Sequence, residues 1–177
     1  MSEREVIDKI KERQGVFDTV QNVFTGGYGT KEDLREVDKK LRDFYYADFK
    51  ALRHRWEEIS LAALNAEQKS MGDDLKKVLQ VIDRVAEKVH HGDYGYSGLW
   101  DRKGSIREKE LARIFNFDKA LDLDLQGIVK AVAELYSDSE LEKWNELNTK
   151  IRNIKSLILD FESKWNEREE SFRPLEM

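Results

Sequence analysis

From Thr30 to about Ser70 the chain runs without a glycine or a proline. Along that run Leu34, Val37, Leu41, Phe44, Leu52, Trp56, Ile59 and Ala63 fall mostly three or four residues apart, so one helix would carry them on a single face. Thr30 can cap such a helix, and Glu32 and Asp33 lie in its first turn, where the helix dipole favours negative charge. About 40 residues at 1.5 Å each make an element of roughly 60 Å. A helix of that length must find partners for its apolar stripe, which limits the chain to helical packings.

The remaining segments can supply those partners. Ser2 can open a first helix to about Phe24, with Val6, Ile10, Phe17, Val20 and Phe24 as its stripe, and residues 25–29 (Thr-Gly-Gly-Tyr-Gly) make a stop. After Gly72, Asp73 or Asp74 starts a third helix through Leu75, Val78, Leu79, Ile82, Val85, Ala86 and Val89, ending at His90-His91-Gly92. Residues 92–104 hold four glycines with Tyr94, Tyr96 and Trp100. They read as a loop that is long for a bundle connection. Ser105 with Glu108 forms a capping-box pair before Ile106, Leu111, Ile114, Phe115 and Phe117. Leu121, Leu123 and Leu125 alternate like a strand, yet five residues with no partner strand are better taken as a helix start or a kink. Leu125, Ile128, Val129, Val132, Leu135 and Tyr136 resume the helical period. Ser137 with Glu140 reads as a second capping box, opening a last helix to about Phe172. Its Leu141, Trp144, Leu147, Ile151, Ile154, Ile158, Phe161 and Trp165 approach a coiled-coil seam.

These elements predict an all-α fold: an elongated antiparallel bundle of five or six helices with coiled-coil character, in one domain over residues 1–177. Because the helices on either side of the long one are much shorter, either it breaks or one end projects and exposes its stripe to a partner.

Composition removes whole classes of function. There is no cysteine, which excludes disulfides, thiol catalysis and thiolate metal sites. No apolar run is long enough for a membrane span, and the opening residues show no signal-peptide pattern, so the cytoplasm is the expected compartment. The net charge of −5 argues against bulk nucleic-acid binding, and 38% charged residues fit long solvated helices. No phosphate-binding glycine fingerprint, Gly-x-Ser-x-Gly, His-Glu-x-x-His or kinase signature is present. No enzyme, cofactor or metal is therefore expected.

Three places invite a functional role. The long helix could present Trp56 as an aromatic anchor. The acidic segment 118–142 (seven acids, among them Asp118, Asp122 and Asp124, against Lys119 and Lys130) could meet a basic partner or another subunit. The two glycine-aromatic loops, with Tyr28, His90, His91, Asp93, Tyr94, Tyr96 and Trp100, could hold a small molecule or a metal, since the histidines can titrate near neutral pH. Glu87-Lys88-Val89-His90 has the Glu-x-x-His spacing of di-iron bundles, but no second such motif exists, and a histidine at a helix C-terminus needs no metal. The basic stretch with Arg102, Lys103, Arg107, Lys109 and Arg113 offers weak, non-specific nucleic-acid contact. A helix-turn-helix over 105–136 is rejected, because its reading helix would carry three aspartates towards phosphate. The function these observations favour is a non-enzymatic interaction, scaffold or adaptor module that self-associates through its long amphipathic helices. Binding or catalysis at the loop 90–104 is the alternative.

Overall fold

Among the described residues, the turns at Glu67 and Glu142 are made at glutamates. The computed structural model describes the backbone of residues 3–26, 31–92 and 108–172, and side chains within 11–22, 32–33, 35–92 and 112–171. It has five α-helices among those residues: α1 (Glu3–Gly26), α2 (Lys31–Asn65), α3 (Gly72–His90), α4 (Glu108–Glu140) and α5 (Trp144–Phe172), with a one-turn 3-10 helix (Lys69–Met71) before α3. Glu67 and Glu142 have φ of 57° and 55°. After α2 the Gln68 N–H bonds the Ala63 carbonyl (2.9 Å) and the Glu67 N–H bonds the Leu64 carbonyl (3.1 Å). After α4 the Lys143 N–H bonds the Asp138 carbonyl (3.0 Å) and the Glu142 N–H bonds the Ser139 carbonyl (3.1 Å). Both are Schellman ends, in which the left-handed position is usually glycine.

Three sequence-based boundaries move accordingly. The long helix ends at Asn65, before Gly72, and Gly72 has helical φ (−56°) and opens α3. No kink interrupts α4: Leu121 and Leu125, one turn apart, are buried and Leu123 is 73% exposed, which is helical rather than strand alternation. Ser137 and Glu140 do not open α5. They lie in the last turns of α4, where the Ser139 hydroxyl donates to the Tyr136 carbonyl (2.7 Å), and α5 starts at Trp144.

The chain divides into two compact units. The first comprises Met1–Phe44, Gly92–Ala120 and Asn166–Met177, and so takes α1, the start of α2, the start of α4 and the end of α5. Among the described residues Val16, Phe17, Val20, Val37, Leu41 and Ile114 are its buried apolar side chains, and Phe17 meets Phe115 edge to face at 5.8 Å.

The second unit, Tyr45–His91 and Leu121–Trp165, packs the α2–α3 hairpin against the α4–α5 hairpin. All four helices bury a stripe with the same steps of four, three, four, three and four residues. In α2 it is Tyr45, Phe49, Leu52, Trp56, Ile59 and Ala63, and along α3 and the 3-10 turn before it Met71, Leu75, Val78, Ile82, Val85 and Val89. In α4 it is Leu121, Leu125, Ile128, Val132, Leu135 and Ser139, and in α5 Leu147, Ile151, Ile154, Ile158, Phe161 and Trp165. The aromatic residues gather at one level, with Tyr45 edge-on to Phe161 and Trp165 and Phe49 edge-on to Phe161. Both hairpin turns lie at one end of the unit. Arg55 of α2 sits 4.3 Å above the Tyr136 ring of α4, and Arg152 near the start of α5 approaches Asp74 in the first turn of α3 at 3.8 Å.

Among the described residues the stripe of α2 is buried at each step from Val37 to Ala63, and α2 runs unbroken from Lys31 to Asn65, so neither the break nor the projecting, uncovered stripe offered for the long helix is seen there.

Candidate interaction surface

The most polar part of the interior is in the first unit, where four charged side chains occupy positions that spacing assigns to the core. Asp38 lies one step before Leu41 and Tyr45 in α2. Asp118 lies between Ile114 and Leu121 in α4, and Arg168 follows Trp165 in α5, each continuing a three-four spacing. Asp38 and Asp118 have no exposed surface, Arg168 is 1% exposed and Arg42 7%. Arg168 donates to both aspartates: Nε to Asp118 Oδ1 and Nη2 to Asp38 Oδ1, each at 2.6 Å, with Nη2 also reaching Asp118 Oδ2 at 3.2 Å. Arg42 Nε donates to Asp38 Oδ2 (3.1 Å), and its Nη1 to the Gly92 carbonyl (2.8 Å). Two cations and two anions thus neutralise one another away from water. Burial leaves the cluster no surface for exchange with solvent, and its hydrogen bonds join α2, α4 and α5.

This cluster corrects the acidic-surface expectation. Asp118 has no surface to offer a partner. Asp122 and Asp124 are half-buried, and Asp124 accepts from Lys164 of α5 at 2.5 Å. Asp138 is bonded by Lys150 and Lys143, and hydrogen bonding by Lys150 holds its carboxyl below the usual range. Much of the negative charge of 118–142 is therefore answered within the chain by bases just beyond the segment, on α5 and the turn before it. Glu140 and Glu142 are exposed and carry no ion pair among the described residues.

Trp56 is likewise corrected from surface anchor to core. It is fully enclosed, and its indole N–H donates to the Leu75 carbonyl of α3 at 2.9 Å. His90 and His91 are exposed at the end of α3. The His90 ring stacks on Tyr46 of α2 (4.2 Å, 23°), while His91 Nε2 lies 3.2 Å from Glu87. The Glu87 carboxylate thus faces His91, not His90. No group of three or more histidine, cysteine, aspartate or glutamate side chains among the described residues could hold a metal ion. Tyr28, Asp93, Tyr94, Tyr96 and Trp100, with Arg102, Lys103 and Arg107 of the basic stretch, lie outside the described residues. No helix among the described residues is long and apolar enough to cross a membrane.

The second unit also leaves leucine side chains exposed among its charged surface residues. Among the described residues Leu61 (59%), Leu64 (70%), Leu123 (73%) and Leu141 (61%) are the most exposed large apolar side chains, followed by Leu157 and Leu159. Leu61 and Leu64 end α2 and Leu141 forms the α4–α5 turn, so three of the four lie towards the turn end of the bundle. Beside Leu64 a groove of about 340 Å³ opens between α2 and α3, floored by Ser60, Ala63, Leu75 and Leu79. Ser60 contributes only a small side chain to that floor. At the matching step of the stripe pattern in α4, directly after Leu135, stands Tyr136, whose ring lies under Arg55 of α2. Glu67, Lys69 and Lys76 rim the groove, and neither lysine carries an ion pair among the described residues.

A larger groove of about 750 Å³ lies between α1 and α2 in the first unit, over Val16, Val37 and Phe44. Its Lys40 is held by Glu36 (2.8 Å), and its Thr19 hydroxyl donates back to the Gly15 carbonyl.

Comparison with protein-family models, with curated proteins and with solved structures finds no match to this chain.

Proposed function

We propose that this chain is a non-enzymatic helical interaction module that self-associates. One observation carries the proposal. Three of the six exposed leucines of the second unit, Leu61, Leu64 and Leu141, lie together towards its turn end, with Leu123, Leu157 and Leu159 elsewhere on the helices, while the buried charge is spent on contacts within the chain. Apolar side chains left uncovered together are what a protein contact covers. The shared four-three steps of the buried stripes supply a rigid support of coiled-coil type for such a surface. The self-association assigned above to the long helix is thus moved from its stripe, which is covered, to the hairpin ends.

Light-scattering mass measured across a concentration series tests this. A mass that climbs from one chain towards two supports the proposal. A single-chain mass up to the solubility limit refutes it.

A further inference from the structure

Resting on that proposal, we infer that two copies of the chain meet end to end, Leu141 of each seated in the α2–α3 groove of the other. The groove and Leu141 belong to the same end of the second unit, one on each hairpin turn. A two-fold axis through that end therefore brings each leucine to the other copy's groove at once, closing the assembly at two chains.

The parts also match in chemistry. Leu141 is 61% exposed and is held out by the turn that Glu142 makes in the left-handed conformation. The groove floor is aliphatic apart from the Ser60 hydroxyl, and that hydroxyl is already bonded to the Trp56 carbonyl (2.8 Å). On either side of Leu141 stand Glu140 and Glu142, the exposed acids left unpaired in the 118–142 segment's turn. On the groove rim stand Lys69 and Lys76, also unpaired, with Glu67 as the one like charge. Lys143 does not cancel the acids, because it is drawn to Asp138 at 3.4 Å. An apolar knob between two carboxylates thus faces an apolar groove beside two ammonium groups.

The test is sedimentation velocity of the full chain and two variants, Leu141→Glu and Ser60→Tyr, with far-ultraviolet circular dichroism as the check on folding. Leu141→Glu puts a charge where the groove is apolar, and Ser60→Tyr fills the groove with the ring that α4 carries at the matching position. Each should weaken dimerisation at least about ten-fold. Mixing the two variants should restore part of the association, because Leu141 of the Ser60→Tyr copy still meets an open groove on the Leu141→Glu copy. A natural chain that dimerises while both variants dimerise equally well would overturn this contact and leave self-association standing. A natural chain that stays monomeric would overturn self-association itself. Loss in both variants without recovery on mixing would show that groove and knob do not meet, and would also overturn the contact.

Discussion

Replacing Arg168 by methionine should be among the most damaging single changes in the first unit. The guanidinium makes three hydrogen bonds to two carboxylates that have no exposed surface, and it is 1% exposed itself. Methionine fills much of the same volume, so the loss is electrostatic rather than one of packing. Asp38 keeps Arg42 at 3.1 Å, but the pair of aspartates loses its shared cation. Breaking a buried pair by removing one partner costs about 3–5 kcal/mol, which in a chain of this size lowers the melting temperature by roughly 6–20 °C. Urea unfolding at pH 7 measures it: the midpoint should fall with the slope unchanged. The double variant Asp118→Leu/Arg168→Met removes one charge of each sign and leaves Asp38 with Arg42, so it should recover a large part of the loss. A single variant within about 1 kcal/mol of the natural chain, or a double variant no better than the single, would refute the claim that charge balance governs this core.

Three further outcomes follow from other contacts. Glu67→Gly and Glu142→Gly should each raise stability by about 1 kcal/mol, because glycine adopts φ near 55° without strain, whereas Glu67→Ala and Glu142→Ala should give no gain; thermal melts of the four variants separate backbone strain from charge. Hydrogen bonding by Arg84 (2.6 and 3.0 Å), aided by Lys88 (3.1 Å), lowers the Glu162 carboxyl from its ordinary 4.5 against the opposing effect of burial. The unfolded chain therefore binds the proton first, and the stabilisation is complete above about 4.5 and lost as pH falls through the lower folded value. The stability gap between the natural chain and Glu162→Gln, followed by urea titrations from pH 7 downwards, should narrow across that window; a gap independent of pH would refute the assignment. Trp56→Phe should cost about 1–2 kcal/mol for the lost bond to the Leu75 carbonyl, and Trp56→Ala about 3–5 kcal/mol, both read as shifts in the urea midpoint.

The helical class and most of the buried stripes were legible because apolar spacing alone sets which face a helix buries. Leu52, Trp56, Ile59 and Ala63 are buried together as their spacing demands. The corners were not legible. Glutamate does not advertise a left-handed turn, so α2 read as running on to Gly72 and the end of α4 read as the start of α5. The charged core was hidden for a different reason. Asp38 and Arg42, four residues apart, look like an ordinary surface pair, and Asp118 looks like part of an acidic face. Their place in the apolar stripe was the available signal, for a charged residue that takes a seam position must be matched by another from a neighbouring helix. Which neighbour provides the match depends on the packing of α2, α4 and α5, and that is not written in any one of them. The groove beside Leu64 depends on how α2 packs against α3, and no spacing in either helix signals it.

The common rhythm of the four stripes in the second unit has a cost in identity. Helices that bury residues at the same steps are interchangeable as far as greasy surface is concerned: α3 could lie where α5 lies, or two copies of one hairpin could pair with each other. Rhythm decides which side of a helix goes inside and leaves open whom it meets there. The choice falls to features that differ between hairpins, namely the Tyr45, Phe161 and Trp165 rings and the ion pairs Arg53–Asp83, Arg84–Glu162 and Lys164–Asp124. The exposed pairs Arg53–Asp83 and Lys164–Asp124 add little to stability. Their weight in this fold is as labels: stripped of them, the chain would still collapse into helices and would have lost the means of telling its own hairpins apart.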